Sequence, residues 1–352
     1  MRTTQCRAFT LLEVVAMIPI LILAGVLLGV GTNGARNGAR GVVCQDNLRW
    51  QGNAYAQYAA DERGQITSYS WREGFTYPSQ WPAIGRERDE DLMAMQSQST
   101  DLLRRHTGRG DGQNKILNDI FIAPFRRYNH LPLLDYLGIN APQMVMACPE
   151  DAELIASKLD PLDDSLWATT SEYNDFADFA EDAARMRYPF SSTYQTVPYA
   201  VFIEGRVTSS LAVTPVSYNS HLYGISNDPD HIATRNLSEV LFPALKVYIF
   251  ELNDRHTNKD APFYAYGRAR CNQLFFDGSV DGIESSQSQP GWDPIDPESP
   301  DPFMYKYTPL STEPVPIGDP ERLLPVRYRY TREGLRGFDY QLRPSPDWEP
   351  RP

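Results

Sequence analysis

Three sets of side chains in this 352-residue chain have types and spacings that could do chemistry: one acid in an apolar run, four cysteines, and two aspartates around a glycine turn. Residues 7–14 read RAFTLLEV, and after Glu13 no charged side chain follows until Arg36. A carboxylate near the edge of a bilayer is costly and rare unless something specific uses it. It becomes tolerable when a cation and hydrogen bonds meet it, so Glu13 is suited to be one half of an ion pair. The plainer alternative is a signal anchor whose Glu13 reaches back to the interface.

The thiols point to less. Cys6, Cys44, Cys148 and Cys271 are too few and too scattered for a disulfide framework. None forms a C-x-x-C pair, and the five histidines never fall at metal-ligand spacing, so small buried thiols are expected and no transition-metal site. If Cys6 left with a leader, one intrachain bridge at most would remain, joining Cys148 to Cys271 or to Cys44 in an oxidising compartment. The stretch FFDGSVDG reads as a strand entering an Asp-Gly turn, with Gly278 supplying positive φ and Asp277 bonding the turn amides. The functional alternative is that Asp277 and Asp281 help to ligate Ca²⁺, which needs further oxygen ligands from elsewhere. Otherwise no cofactor is expected. Glu204 and Glu251, at strand ends, read as edge or capping residues. GRGDG at 108–112 reads as a flexible turn. With no glycine-rich phosphate loop, G-x-S-x-G elbow or H-E-x-x-H pattern, no enzyme is expected.

Charge narrows the partners. The chain carries 33 basic and 45 acidic residues, a net charge of −12, with no Lys/Arg-rich block. Nucleic acid is therefore not an expected partner, because phosphate binding needs a concentrated positive face.

These residues need elements to position them. From Phe9 to Val30 the chain reads FTLLEVVAMIPILILAGVLLGV, about the ~20 residues that span a hydrocarbon core as helix. No small-x-small cleavage site follows it. Beyond it, Leu48, Tyr55 and Ala59 share one face at helical spacing, so one helix is expected to run on to residue 63. Glycines 31, 34, 38 and 41 soften it by up to ~1 kcal/mol each relative to alanine. At ~1.5 Å per residue it would reach roughly 75–80 Å. Arg2 and Arg7 before the span balance Arg36 and Arg40 after it, so charge does not set the topology.

After Gly64 the pattern changes. Strand-like runs occur at 197–205, 215–224, 245–252 and 272–280, rich in β-branched and aromatic residues. Helical stretches are expected at Asp101–His106, Lys115–Tyr128 and Leu131–Leu137. Together they predict an α+β fold, a long helix laid on an antiparallel sheet. From residue 285 the character shifts again: half of the 28 prolines lie between Pro290 and Pro352, which reads as an extended C-terminal segment. Within it, VRYRYTREGLRGFDYQL alternates apolar and charged residues and could add a strand or bind a partner.

AFTLLEVV resembles the leader junction of type IV pilins and type II secretion pseudopilins, where a basic leader ends in Gly or Ala before Phe-Thr-Leu-Ile/Leu-Glu. Further pieces are similar to one subgroup, bacterial prepilin-type proteins with a C-terminal His-x9-Asp-Gly motif. They are CQDNLRWQGNAYAQYAADERG, LPLLDYLG, MACPED, VSYNSHLYG and CNQLFFDGSVDGI, scattered over roughly residues 1–284. The chain departs from the pattern at Ala8, where Gly is usual, at the early Pro19, and at Gly267, where the subgroup's histidine would stand.

The resemblance implies a leader of 1–8, a transmembrane and amphipathic helix of 9–63, a periplasmic α+β domain of 64–284 and a Pro-rich extension of 285–352. Prepilin peptidase would cut between Ala8 and Phe9 and methylate the new amino group. Glu13 of one subunit would then pair with Phe9 of the next during assembly. Gly25 and Gly29, spaced for close helix packing, suit such an array. The implied role is a pilin-like, single-pass inner-membrane subunit of a type IV pilus or pseudopilus, its globular part periplasmic or extracellular, with other pilin-like subunits as partners. The alternative is an envelope-anchored binding module that uses the leader only for delivery.

Overall fold

The computed structural model describes residues 11–112, 115–116, 128–137, 144–159, 191–202, 206–207, 210–211, 213–215, 223–225, 234–257, 262–292, 299, 301–307 and 322–341; over most of 11–37 it describes the backbone alone. A single helix, α1, runs Leu11–Asp61, 51 residues without a break. Its buried positions, Cys44, Leu48, Gln51, Gly52, Ala54, Tyr55 and Ala59, recur every three to four residues and form one stripe. Burying each large apolar member of that stripe contributes about 1.5–3 kcal/mol. The helix ends at Arg63 and Gly64, both at positive φ, where the Gly64 N–H bonds the Ala59 carbonyl at 2.6 Å. Among the described residues no helix is long and apolar enough to cross a membrane. The expected span, 9–30, falls largely outside the described side chains.

The stripe packs on a four-stranded antiparallel sheet of order β1-β6-β7-β8: β1 Tyr194–Thr196, β6 Val247–Glu251, β7 Arg270–Phe275 and β8 Val280–Glu284. This supports the α+β class. Tyr55 lies on Tyr248 with ring centroids 4.4 Å apart, and a Cβ at Gly52 would meet Leu274 at 3.0 Å, so α1 approaches β7 closely there. Between α1 and the sheet strands come α2 (Pro82–Gly85), α3 (Asp91–Thr107) and α4 (Ala152–Leu159). The strand pairs β2–β3 (Arg206–Val207, Ser210–Leu211) and β4–β5 (Val213–Pro215, Tyr223–Ile225) form separate ladders.

Several local expectations change. The run at 197–205 is not a strand at its start: Pro198 lacks an N–H for the ladder and opens a 3-10 turn at Pro198–Ala200, while β1 lies just before it. The helix at Asp101–His106 is the end of the longer α3, capped by Gly108 in the left-handed region. Leu131–Leu137 forms only a 3-10 turn at Leu131–Leu133. Most of Lys115–Tyr128 and residues 216–222 lie outside the described residues.

The C-terminal segment contributes to the same core. Trp292, Tyr307, Leu324, Tyr328 and Tyr340 belong to the same buried cluster as Leu48 and Tyr248. Strands β9 (Met304–Tyr307) and β10 (Arg322–Pro325) pair with each other rather than joining the main sheet. Phe250 of β6 packs on Tyr264 and Tyr328, with centroids 4.9 and 5.0 Å away. Aromatic burial holds this segment despite its prolines.

Candidate metal centre

Four side chains from four stretches of chain converge beside α1. Cys44 sits on the buried stripe, one turn before Leu48, and is fully enclosed. Cys148 follows the 3-10 turn Met144–Met146; its N–H donates to Thr193 Oγ1 at 3.0 Å, and its carbonyl accepts from Asp151 N at 2.8 Å. Polar residues of α1 stitch the helix to this loop. Asn47 donates to the Ala147 carbonyl (3.1 Å), Gln51 to the Val145 carbonyl (3.2 Å), and Arg40 pairs with Glu150 at 2.6 Å.

The other two side chains come from the end of β6 and the turn after it. Glu251 ends β6 and is 1% exposed. Its Oε2 accepts from both the N–H and the side-chain amide of Asn272, each at 3.0 Å, and Asn272 Oδ1 in turn accepts from Gln45 of α1 at 3.1 Å. His256 follows in a turn shaped by Asp254, whose carboxylate accepts from Thr257 N and Arg270 N, both at 2.9 Å. Gly41 of α1 lies beneath the ring; a Cβ there would stand 3.5 Å from His256 Cβ.

One nitrogen faces all three partners. His256 Nε2 lies 3.1 Å from Cys44 Sγ, 3.3 Å from Cys148 Sγ and 3.4 Å from Glu251 Oε1. The four ligating atoms all fall within 4.8 Å of one another. A single N–H cannot serve three acceptors well, and the buried Glu251 Oε1 has no hydrogen-bond partner; nor, separately, has His256 Nδ1.

Electrostatics couples the group. Burial works against charge on His256, but its contacts with Cys148 and Glu251 prevail and push the imidazolium up to about 10. The hydrogen bond from Cys44 draws the Cys148 thiol down to about 7 against its burial, with His256 assisting. Cys44 rises, first through that same hydrogen bond and then through burial. A cysteine, a histidine and an acid suggest a nucleophile–base–acid relay, but the geometry differs. A relay engages opposite ring nitrogens, whereas here sulfur and carboxylate share Nε2. Two sulfurs, one imidazole nitrogen and one carboxylate oxygen at these separations are the donor set of a tetrahedral cation site.

Spacing along the chain did not point to this group, because its residues are distant in sequence and meet only in space; Glu251 belongs to it, while Glu204 lies outside the described residues. All three described cysteines are free thiols, and the neighbour of Cys148 is Cys44; Cys271 is buried apart from the group. Asp277 Oδ1 accepts from Ser279 N at 2.9 Å and Asp281 Oδ1 from Gly282 N at 2.8 Å, so each works within the β7–β8 hairpin. Among the described residues no third Asp, Glu, His or Cys joins them as a Ca²⁺ group. Ala8 and Phe9 lie outside the described residues, as does the side chain of Glu13, although α1 includes its backbone. Compared with protein-family models, with curated proteins and with solved structures, the chain matches none of them.

Proposed function

We propose that this chain is a pilin-like subunit, cut between Ala8 and Phe9 and methylated on the Phe9 amino group by prepilin peptidase, and assembled through Glu13 into a type IV pilus or a type II secretion-like pseudopilus. The observation that carries this reading is the continuity of α1. One helix begins in the apolar segment containing Glu13 and ends as the packed face of an antiparallel sheet. Such a helix can be held by a bilayer, or by neighbouring helices, at one end and by its own domain at the other.

Glu13 then needs a cation in an apolar setting, and a newly exposed amino group on Phe9 of an adjacent subunit supplies one. The partners are the peptidase, the inner membrane and other pilin-like subunits, with the globular part on the periplasmic or extracellular side. No group-transfer chemistry on a substrate is part of this role.

Mass spectrometry of the mature protein tests the processing step: methyl-Phe9 as first residue is expected, and an intact Met1 would remove the basis of the reading. For assembly, Glu13→Ala should leave membrane insertion unchanged and abolish crosslinking to other pilin-like subunits. Normal crosslinking yield from that variant would exclude the role given to Glu13.

A further inference from the structure

We propose that Cys44, Cys148, Glu251 and His256 bind one zinc-type divalent cation, a structural centre that fastens α1 to the sheet. This inference is independent of the assembly reading, because all four residues lie beyond the apolar segment at 9–30. The donor chemistry selects the ion: two thiolates and an imidazole suit Zn²⁺ and reject Ca²⁺ and Mg²⁺, which prefer oxygen.

The spacing agrees. Ideal tetrahedral bonds place N and O ligands ~3.4 Å apart and N and S ligands ~3.5 Å apart. The separations from His256 Nε2 are 3.4 Å to Glu251 Oε1 and 3.1 and 3.3 Å to the two sulfurs. A cation at the centre also resolves the buried Glu251 Oε1, which otherwise has no hydrogen-bond partner.

The surroundings are those of a built site. Asn272 holds Glu251 by two hydrogen bonds to Oε2, which leaves Oε1 directed at the group, and Gln45 holds Asn272. A pocket of about 210 Å³ lined by Gly41, Gln45, His256, Thr257 and Asn272 opens beside His256 and offers an entry path. With four protein ligands and both sulfurs fully enclosed, no coordination position is left for substrate, so the centre is structural. On binding, Cys44 gives up one proton and the Cys148–His256 pair another, both to solvent, while Glu251 contributes its carboxylate.

A disulfide between Cys44 and Cys148 is the competing outcome. It would remove two electrons and two protons from the thiols and leave Glu251 buried beside His256.

The experiment uses the full chain in detergent, purified under reducing conditions without added metal. Elemental analysis should find about one zinc per chain. After chelation, titration with Co²⁺ should produce the intense visible bands of tetrahedral cobalt and a thiolate-to-cobalt charge-transfer band. Cys148→Ser and His256→Ala should reduce bound zinc to background, and Cys271→Ser should retain it. Asn272→Ala, acting through Glu251, should weaken zinc affinity ~10–100-fold in competition with a chromogenic chelator. The cobalt spectrum needs no variant, so a misfolded mutant does not blunt the test. The proposal is overturned if folded wild-type chain takes up neither Zn²⁺ nor Co²⁺. It is also overturned if protein from the native envelope is lighter by the pair of hydrogens a disulfide removes, with Cys44 and Cys148 peptides linked.

Discussion

Two buried polar groups tie distant parts of this chain together, and they differ in how completely they satisfy themselves. Lys246, just before β6, pairs with Asp339 at 3.1 Å, with side-chain exposures of 0% and 1%. The Asp339 carboxylate also accepts from Val247 N at 2.8 Å and from Thr331 Oγ1, and Thr331 contacts Lys246 as well. Burial raises the Asp339 carboxyl against the pull of Lys246 and these donors. At the other end of β6 the group around Glu251 is just as enclosed but leaves Oε1 and His256 Nδ1 without hydrogen-bond partners. The first group is complete as built. The second has the number and kind of donors that a cation would complete. Burial alone therefore says little about a polar cluster; what informs is whether every lone pair and proton is used.

Three measurements would break or sharpen this contrast. The largest effect is expected at the complete pair: Asp339→Ala leaves Lys246 without its buried counter-ion and should cost about 3–5 kcal/mol in urea unfolding. A loss under ~1 kcal/mol would mean that the pair does not lock the C-terminal segment. Next comes the cation. Moving from zinc at a hundredfold excess over its Kd to chelator should cost about 2.7 kcal/mol, read as a lower Tm, and an unchanged Tm would contradict a structural centre. The smallest effect is expected for Glu251→Gln in chelated protein. It removes a buried charge that His256, shared with two sulfurs, compensates only in part, and it keeps an acceptor for Asn272, so stability should change by less than ~1 kcal/mol. A multi-kcal loss there would show that Glu251 is satisfied without metal.

Much of the framework was legible in the sequence because it rests on local periodicity. Leu48, Tyr55 and Ala59 marked the packed face of α1, and Asp277-Gly278 marked the β7–β8 turn, where Gly278 has φ +84°. The cluster was illegible by spacing, because its ligands lie up to 212 residues apart and no short motif joins them. Two signals could have pointed to it: Cys44 falls on the apolar stripe of a helix, and Glu251 ends an apolar strand where a lone acid is costly unless paired. The packing of the C-terminal segment was hidden for a different reason. Proline content describes backbone stiffness, whereas Tyr328 and Tyr340, each 0% exposed, supply the area that anchors the segment.

The grip on α1 has a mechanical consequence. Its attachments to the domain run from the Arg40–Glu150 ion pair, past Cys44 and Leu48, to Ala59, a length of about 30 Å along the helix axis. A pull along that axis would load these contacts side by side, in shear, and would have to break them together. A pull across the axis would peel them one at a time, starting at Arg40. A domain held this way would resist axial tension better than sideways force.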